Sequence, residues 1–328
     1  MTRITTRTTF FENTGANLKI SCSAYTASLL YIARAAMKPF AERVFIAFMV
    51  AAAVFIITST TLVVLNQVDY PGWWNNTVFQ NTSGLCEQAQ GANKLLREPY
   101  NALSSLFYVF PTMFAFVFRC ADSCSKEDVS SISIMSTKRA FSFVWYLLNL
   151  GMTVGTVVNH ACSCVIGSRL DNYFTWQLLL APSVFMASLV CPANTTTLVW
   201  ELFCIWALIL TPGLALTGPS STIQYIVTPM LLVTLIVFGI VVRTRKEIKG
   251  YHAIFWVGLA FAAMGACFVA LDKVICTSGR TFGSHSLFHV FTAIALVLLY
   301  CYLWSLRYAV RDEIGSRDSR GAARESGV

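Results

Sequence analysis

Four histidines occur in this chain of 328 residues, and three of them, His160, His285 and His289, have the spacing to share one metal ion. His285 and His289 are four residues apart, so a helix would present both imidazoles on one face. His160 is remote in sequence but, like them, stands at the edge of a long apolar run. Three protein ligands leave the fourth position of a tetrahedral zinc open, as in hydrolytic rather than structural sites. Zinc held in this way lowers the pKa of water to about 7 and supplies a nucleophile at neutral pH. Thr156 stands one helical turn before His160, and Asp171 follows after a short connection. A carboxylate beside such a water acts as general base and then general acid. A hydroxyl nearby can stabilise the oxyanion of a tetrahedral intermediate.

Plainer readings stand beside each of these. The histidine pair could be coincidence, Thr156 could bond back to its own helix, and Asp171 could be a helix N-cap. His160, Cys162 and Cys164 form a rival ligand set. Thiolate-rich sets make closed structural sites, and this one would leave His285 and His289 without a role.

The elements that must position these residues are apolar helices. The chain is 56% hydrophobic and 12% charged, against about 25% charged in an ordinary soluble domain. Eight stretches approach the ~20 residues needed to cross the hydrocarbon layer: 44–65, 101–118, 140–160, 172–190, 197–216, 222–242, 251–271 and 285–306. The expected fold is an all-α, polytopic transmembrane helix bundle. The stretch near 20–37 carries Arg34 and reads as an amphipathic surface segment. No cleavable signal peptide is visible ahead of the 44–65 run, and the tail 309–328 has the composition of a disordered segment.

Basic residues orient the bundle. With the N-terminus in the cytosol, only Lys94, Arg97, Arg169, Lys273 and Arg280 of the 24 Lys and Arg fall on the far side. That asymmetry follows the positive-inside rule and predicts both termini in the cytosol. The net charge of +8 is then a topology signal, and its scatter over loops argues against a nucleic-acid partner. This orientation puts His160, His285 and His289 together at the exoplasmic side, although the count made no use of them. His252 falls at the opposite edge and reads as an interfacial residue without a metal. Loop 67–100 is the longest exoplasmic connection and holds sequons at Asn75 and Asn81; Asn194 opens a third on the cytosolic side. Cys86 and Cys276 both face the oxidising compartment in this scheme.

Taken in order, several short motifs resemble the alkaline ceramidases, within the wider superfamily of seven-helix membrane hydrolases and related lipid receptors. Cys86-Glu87 followed by Glu98-Pro-Tyr-Asn101-Ala-Leu-Ser104-Ser105 is similar to that family's Cys-Glu element and the opening of its first core helix. Thr156-x-x-x-His160 followed by Asp171 resembles the family's Ser-x-x-x-His and Asp spacing. Asp272-Lys-Val-Ile-Cys276, His285-Ser-Leu-Phe-His289 and Arg307-Tyr308 resemble its last loop, last helix and ending. The match runs over about residues 84–308.

The resemblance implies a zinc amidohydrolase that cleaves ceramide to sphingoid base and fatty acid. It implies His160, His285 and His289 as zinc ligands, Asp171 and Thr156 as catalytic groups, and a Cys86–Cys276 disulfide. It also implies a seven-helix core over 67–308, preceded by a cytosolic segment 1–43 and an added helix 44–66, in the endoplasmic reticulum or Golgi. Thr156 replaces the family's serine and keeps the hydroxyl with a stiffer rotamer. The family's calcium site would retain Glu87 and Glu98, but Gly84 and Ala89 stand where further ligands belong. Calcium takes six to eight oxygens, so the implied site is weak. Two other functions stay open from sequence: hydrolysis of a different lipid ester or amide, and a seven-helix lipid receptor with structural zinc. A transporter would show inverted repeats or broken helices, and neither is visible.

Overall fold

The computed structural model describes residues 40–69, 74, 87, 89–91, 93–124, 132–190, 201–203, 205–207, 220–245, 248–275 and 283–308. These residues form an all-α bundle, as the composition predicts. The helices are α1 (Phe40–Asn66), α2 (Pro99–Ser105), α3 (Val109–Cys124), α4 (Ile132–Cys162), α5 (Val165–Val190), α6 (Ser220–Thr244), α7 (His252–Ile275) and α8 (Ser284–Ser305). A single turn of tighter helix, Leu106–Tyr108, joins α2 to α3 into one rod. Seven of the rods so formed are long and apolar enough to cross a membrane. The eighth expected span, 197–216, lies largely outside the described residues, as do Cys86, Cys276, the three sequons, the 20–37 stretch and the tail.

Burial sorts the helices. In the most apolar window of α2–α3 and of α5, 67% of residues are buried; the figure is 50% for α4 and α8 but only 6%, 22% and 17% for α1, α6 and α7. The first group is therefore the centre of the bundle, and the second presents apolar faces outward. Phe45, Phe48, Ile56 and Ile57 of α1 are all more than half exposed, a pattern that suits lipid and not water. α1 packs on α3 and on the tight turn before it, burying Ile46, Ala47 and Ala51 and setting Phe55 against Phe107 of that turn, with ring centroids 4.7 Å apart.

The central core is aromatic: Phe141 meets Phe185 at 4.5 Å and Phe118 meets Trp304 at 4.9 Å between centroids. Tyr300 bonds its hydroxyl to Ser142 at 3.0 Å, which satisfies both polar groups inside the apolar interior. At the far end of α8, a two-residue antiparallel pair of β1 (Ile248–Lys249) and β2 (Arg307–Tyr308) ties the entrance of α7 to the exit of α8. His252 belongs to this end, where its Nδ1 lies 3.2 Å from the Tyr302 hydroxyl.

One boundary differs in a way that matters. Hydropathy starts the fourth stretch at 172, whereas α5 begins at Val165. Gly167, Ser168 and Arg169 lower the local hydropathy and read as loop, yet the backbone there is helical. The connection from α4 shrinks to Ser163 and Cys164. Asp171 is consequently in the second turn of α5, not at its N-cap. Two glycines bring α4 and α5 together at this end. A Cβ on Gly167 would stand 2.6 Å from Asn159 Cα, and one on Gly155 would stand 3.2 Å from the Asp171 amide nitrogen. Small residues at such crossings let backbones approach.

Candidate metal centre

His160 closes α4, while His285 and His289 occupy the first two turns of α8. Their ligand-capable nitrogens all lie within 4.8 Å of one another, and among the described residues they form a group that could hold a metal ion. His160 Nε2 and His285 Nε2 face each other at 3.3 Å. That separation suits a shared proton, and it is also the edge of a tetrahedron with about 2.05 Å bonds from nitrogen to zinc. His160 and His289 are buried and His285 is half-buried, so the triad opens on its His285 side.

The tautomers follow from the partners. His160 Nδ1 lies 2.7 Å from Glu98 Oε2. An ionised carboxylate only accepts, so Nδ1 carries the proton and Nε2 offers its lone pair to the shared point. His289 Nδ1 lies 2.9 Å from Ser104 Oγ and 3.1 Å from Ser105 Oγ. Each serine hydroxyl already donates its one proton to the Asn101 carbonyl, at 3.0 and 2.7 Å. Nδ1 of His289 is therefore the donor, and its Nε2 is likewise left for a ligand. Outer contacts of this kind fix the ring orientation of metal-binding histidines and raise their basicity.

α2 supplies most of this support, because its start is stitched to the end of α4. The amides of Glu98 and Arg97 donate to the carbonyls of His160 and Ala161 at 3.0 and 2.9 Å, capping a helix end whose last carbonyls have no partner within the helix. Ser163 Oγ donates to Glu98 Oε1 at 2.9 Å, and Asn101 Nδ2 reaches Glu98 Oε2 at 3.4 Å. Ser286 Oγ donates to Asn101 Oδ1 at 2.8 Å and draws α8 onto the same knot. Burial would raise the Glu98 carboxyl, but its bonds to His160, Ser163 and Asn101 hold it below the usual glutamate range.

Thr156 and Asp171 also come together. The Thr156 hydroxyl donates to Asp171 Oδ1 at 2.6 Å, and Asn159 Nδ2 donates to Asp171 Oδ2 at 3.0 Å. The Thr156 hydroxyl is thus turned toward another helix, and within its own it meets only the Met152 sulfur, at 3.5 Å, and no backbone carbonyl. Thr156 lies one turn from His160 on the same face, where Cβ atoms stand roughly 5–6 Å apart, so the Thr156–Asp171 pair adjoins the histidine cluster.

One alternative read from sequence meets a different arrangement. Cys162 and Cys164 are joined in a disulfide, which removes both thiolates from the rival ligand set. Glu87 and Glu98, the two acids of the implied calcium site, are both engaged within the protein. Glu87 accepts the amides of Tyr100 and Asn101, one on each oxygen, both at 2.8 Å, and so caps the N-terminus of α2. Burial pushes its carboxyl up to about 7 against the pull of those amides. Sequence reasoning overlooked Ser163 and Asn159 and named Glu98 only as a ligand of a weak calcium site, not as the partner of His160. The available signal was that a glutamate opening one membrane helix lies at the same end as a histidine closing another. No family model and no curated sequence matches this chain.

Proposed function

We propose that the chain is a zinc-dependent hydrolase of lipid amides, with ceramide-type sphingolipids as substrate. The observation that carries this reading is the Thr156–Asp171 pair one turn from the histidine triad. A structural metal site needs neither a carboxylate nor a hydroxyl beside it, so the pair favours chemistry over a receptor. The donor set fits zinc: three imidazoles, two of them with the outer nitrogen engaged by the protein, and a fourth position for one further ligand. Zinc would supply an activated water and polarise the amide carbonyl.

The protein groups do the rest. Asp171 has a lone pair left on each oxygen after its bonds to Thr156 and Asn159. It takes the proton of the attacking water and later returns it to the departing nitrogen as the C–N bond breaks. Fatty acid and sphingoid base are the products. As Asp171 gains the proton, its hold on the Thr156 hydroxyl weakens, and that hydroxyl turns to the developing oxyanion. The apolar bundle suits a substrate with long acyl chains, and the ordered motifs resembling alkaline ceramidases narrow the bond to an amide. The Cys162–Cys164 bridge at the triad's end supports an oxidising compartment on that side, consistent with both termini in the cytosol and residence in the endoplasmic reticulum or Golgi.

The test is mass spectrometry of products from a panel of ceramides and other lipid amides and esters, using purified protein and Asp171→Ala. Release of sphingoid base by the wild type alone is expected. No release from any substrate would refute the enzyme reading.

A further inference from the structure

The two-residue turn between α4 and α5 carries a feature that the proposed chemistry does not use. Ser163 has a φ of 49° and is the one non-glycine residue in the left-handed region among the described residues. Such a conformation is disfavoured for a residue with a side chain and persists where the surroundings enforce it. Here they do: Cys162 and Cys164, on either side, are bonded to each other across it. All three residues are buried. The turn aims the Ser163 hydroxyl at Glu98 Oε1, 2.9 Å away, and the other oxygen of Glu98 holds His160 Nδ1 at 2.7 Å. The Arg97 guanidinium reaches the Cys162 carbonyl at 3.3 Å and closes the unit from the α2 side.

We infer that Ser163 is a positioning residue for the metal centre: braced by the Cys162–Cys164 bridge, its hydroxyl locks Glu98, and Glu98 locks the ring of His160. Ser163 touches neither metal nor substrate. Without its hydrogen bond, one oxygen of a buried carboxylate loses its partner, and the carboxylate rotates away from the line that aligns His160. This inference rests on the triad binding a metal but not on the amide chemistry, so the test reads metal affinity and not turnover.

Zinc affinity is measured on the full-length protein in detergent by competition with a chelator of known affinity. Ser163→Gly removes the hydroxyl while suiting the left-handed backbone, and Ser163→Ala removes it with the backbone cost kept. Both are expected to weaken zinc binding about 10- to 100-fold, the range of outer partners of metal-binding histidines. Cys162→Ser with Cys164→Ser is expected to fall in the same range. Glu98→Gln should weaken binding too, and adding Ser163→Gly to it should cost nothing more, because both act on one chain of contacts. Wild-type affinity in both Ser163 variants, or losses that multiply with Glu98→Gln, would overturn the role of the hydroxyl. Wild-type affinity in the paired cysteine variant would overturn the role of the bridge. A wild-type protein that binds no zinc would overturn the metal reading itself and this inference with it.

Discussion

Gly167→Ala tests whether the spacing of α4 and α5 sets the chemistry. The added methyl would stand 2.6 Å from Asn159 Cα and 2.7 Å from Asn159 N, where ordinary contact begins at 3.4 Å. Both neighbours are backbone, so no side chain can swing aside, and α5 must retreat by roughly 0.8 Å, the shortfall from ordinary contact. The Thr156–Asp171 bond of 2.6 Å would then lengthen towards about 3.4 Å, beyond the usual range for hydroxyl donors. A misplacement near 1 Å costs about 100-fold in rate, or about 2.7 kcal/mol in the barrier. The zinc ligands should stay, because α2 and α8 hold the end of α4 independently of α5. The assay is sphingoid-base release at saturating ceramide, alongside zinc content. Turnover about 100-fold lower with full zinc is expected. Undiminished turnover would show that the Asp171–Thr156 geometry does not set the rate.

Other expectations follow from the same geometry. Asp171→Asn should keep its zinc and lose about 10²–10⁴-fold in turnover, read from the same product and metal assays. His289→Ala should purify without stoichiometric zinc, whereas His252→Ala, at the other end of the bundle beside Tyr302, should retain both metal and activity. Glu87→Ala should lower thermal stability by about 1 kcal/mol through loss of the α2 cap, with no dependence on calcium. Glu87 also predicts a pH dependence. Its carboxyl is raised in the fold from 4.5 to about 7, so the native state holds this proton more tightly than the unfolded chain does. The stability it contributes is complete below pH 4.5 and is lost as pH rises through about 7. Melting curves of Glu87→Gln should be flatter across that window than those of the wild type.

The sequence made some of this site readable and hid the rest for physical reasons. His285 and His289 were legible because helical periodicity puts i and i+4 on one face, and His160 because the charge asymmetry of the loops assigns span ends to sides. Thr156 announced itself by the same one-turn spacing. Asp171 was found by type and rough depth, but its helix start was misplaced, since hydropathy reports where lipid ends and not where the helix does. The Glu98–His160 and Ser163–Glu98 contacts join residues more than 60 positions apart, and no periodicity encodes them. The pairing of Cys162 with Cys164 goes with a left-handed residue between them, and a serine there carries none of the signal that a glycine would.

The most direct measurement is ceramide hydrolysis by one purified preparation assayed three times: as isolated, after stripping with a chelator, and after zinc is restored. Release of sphingoid base and fatty acid is expected in the first state, loss in the second and recovery with about one zinc per chain in the third. Hydrolysis that survives complete removal of the metal, or its absence in all three states, would contradict the proposed function.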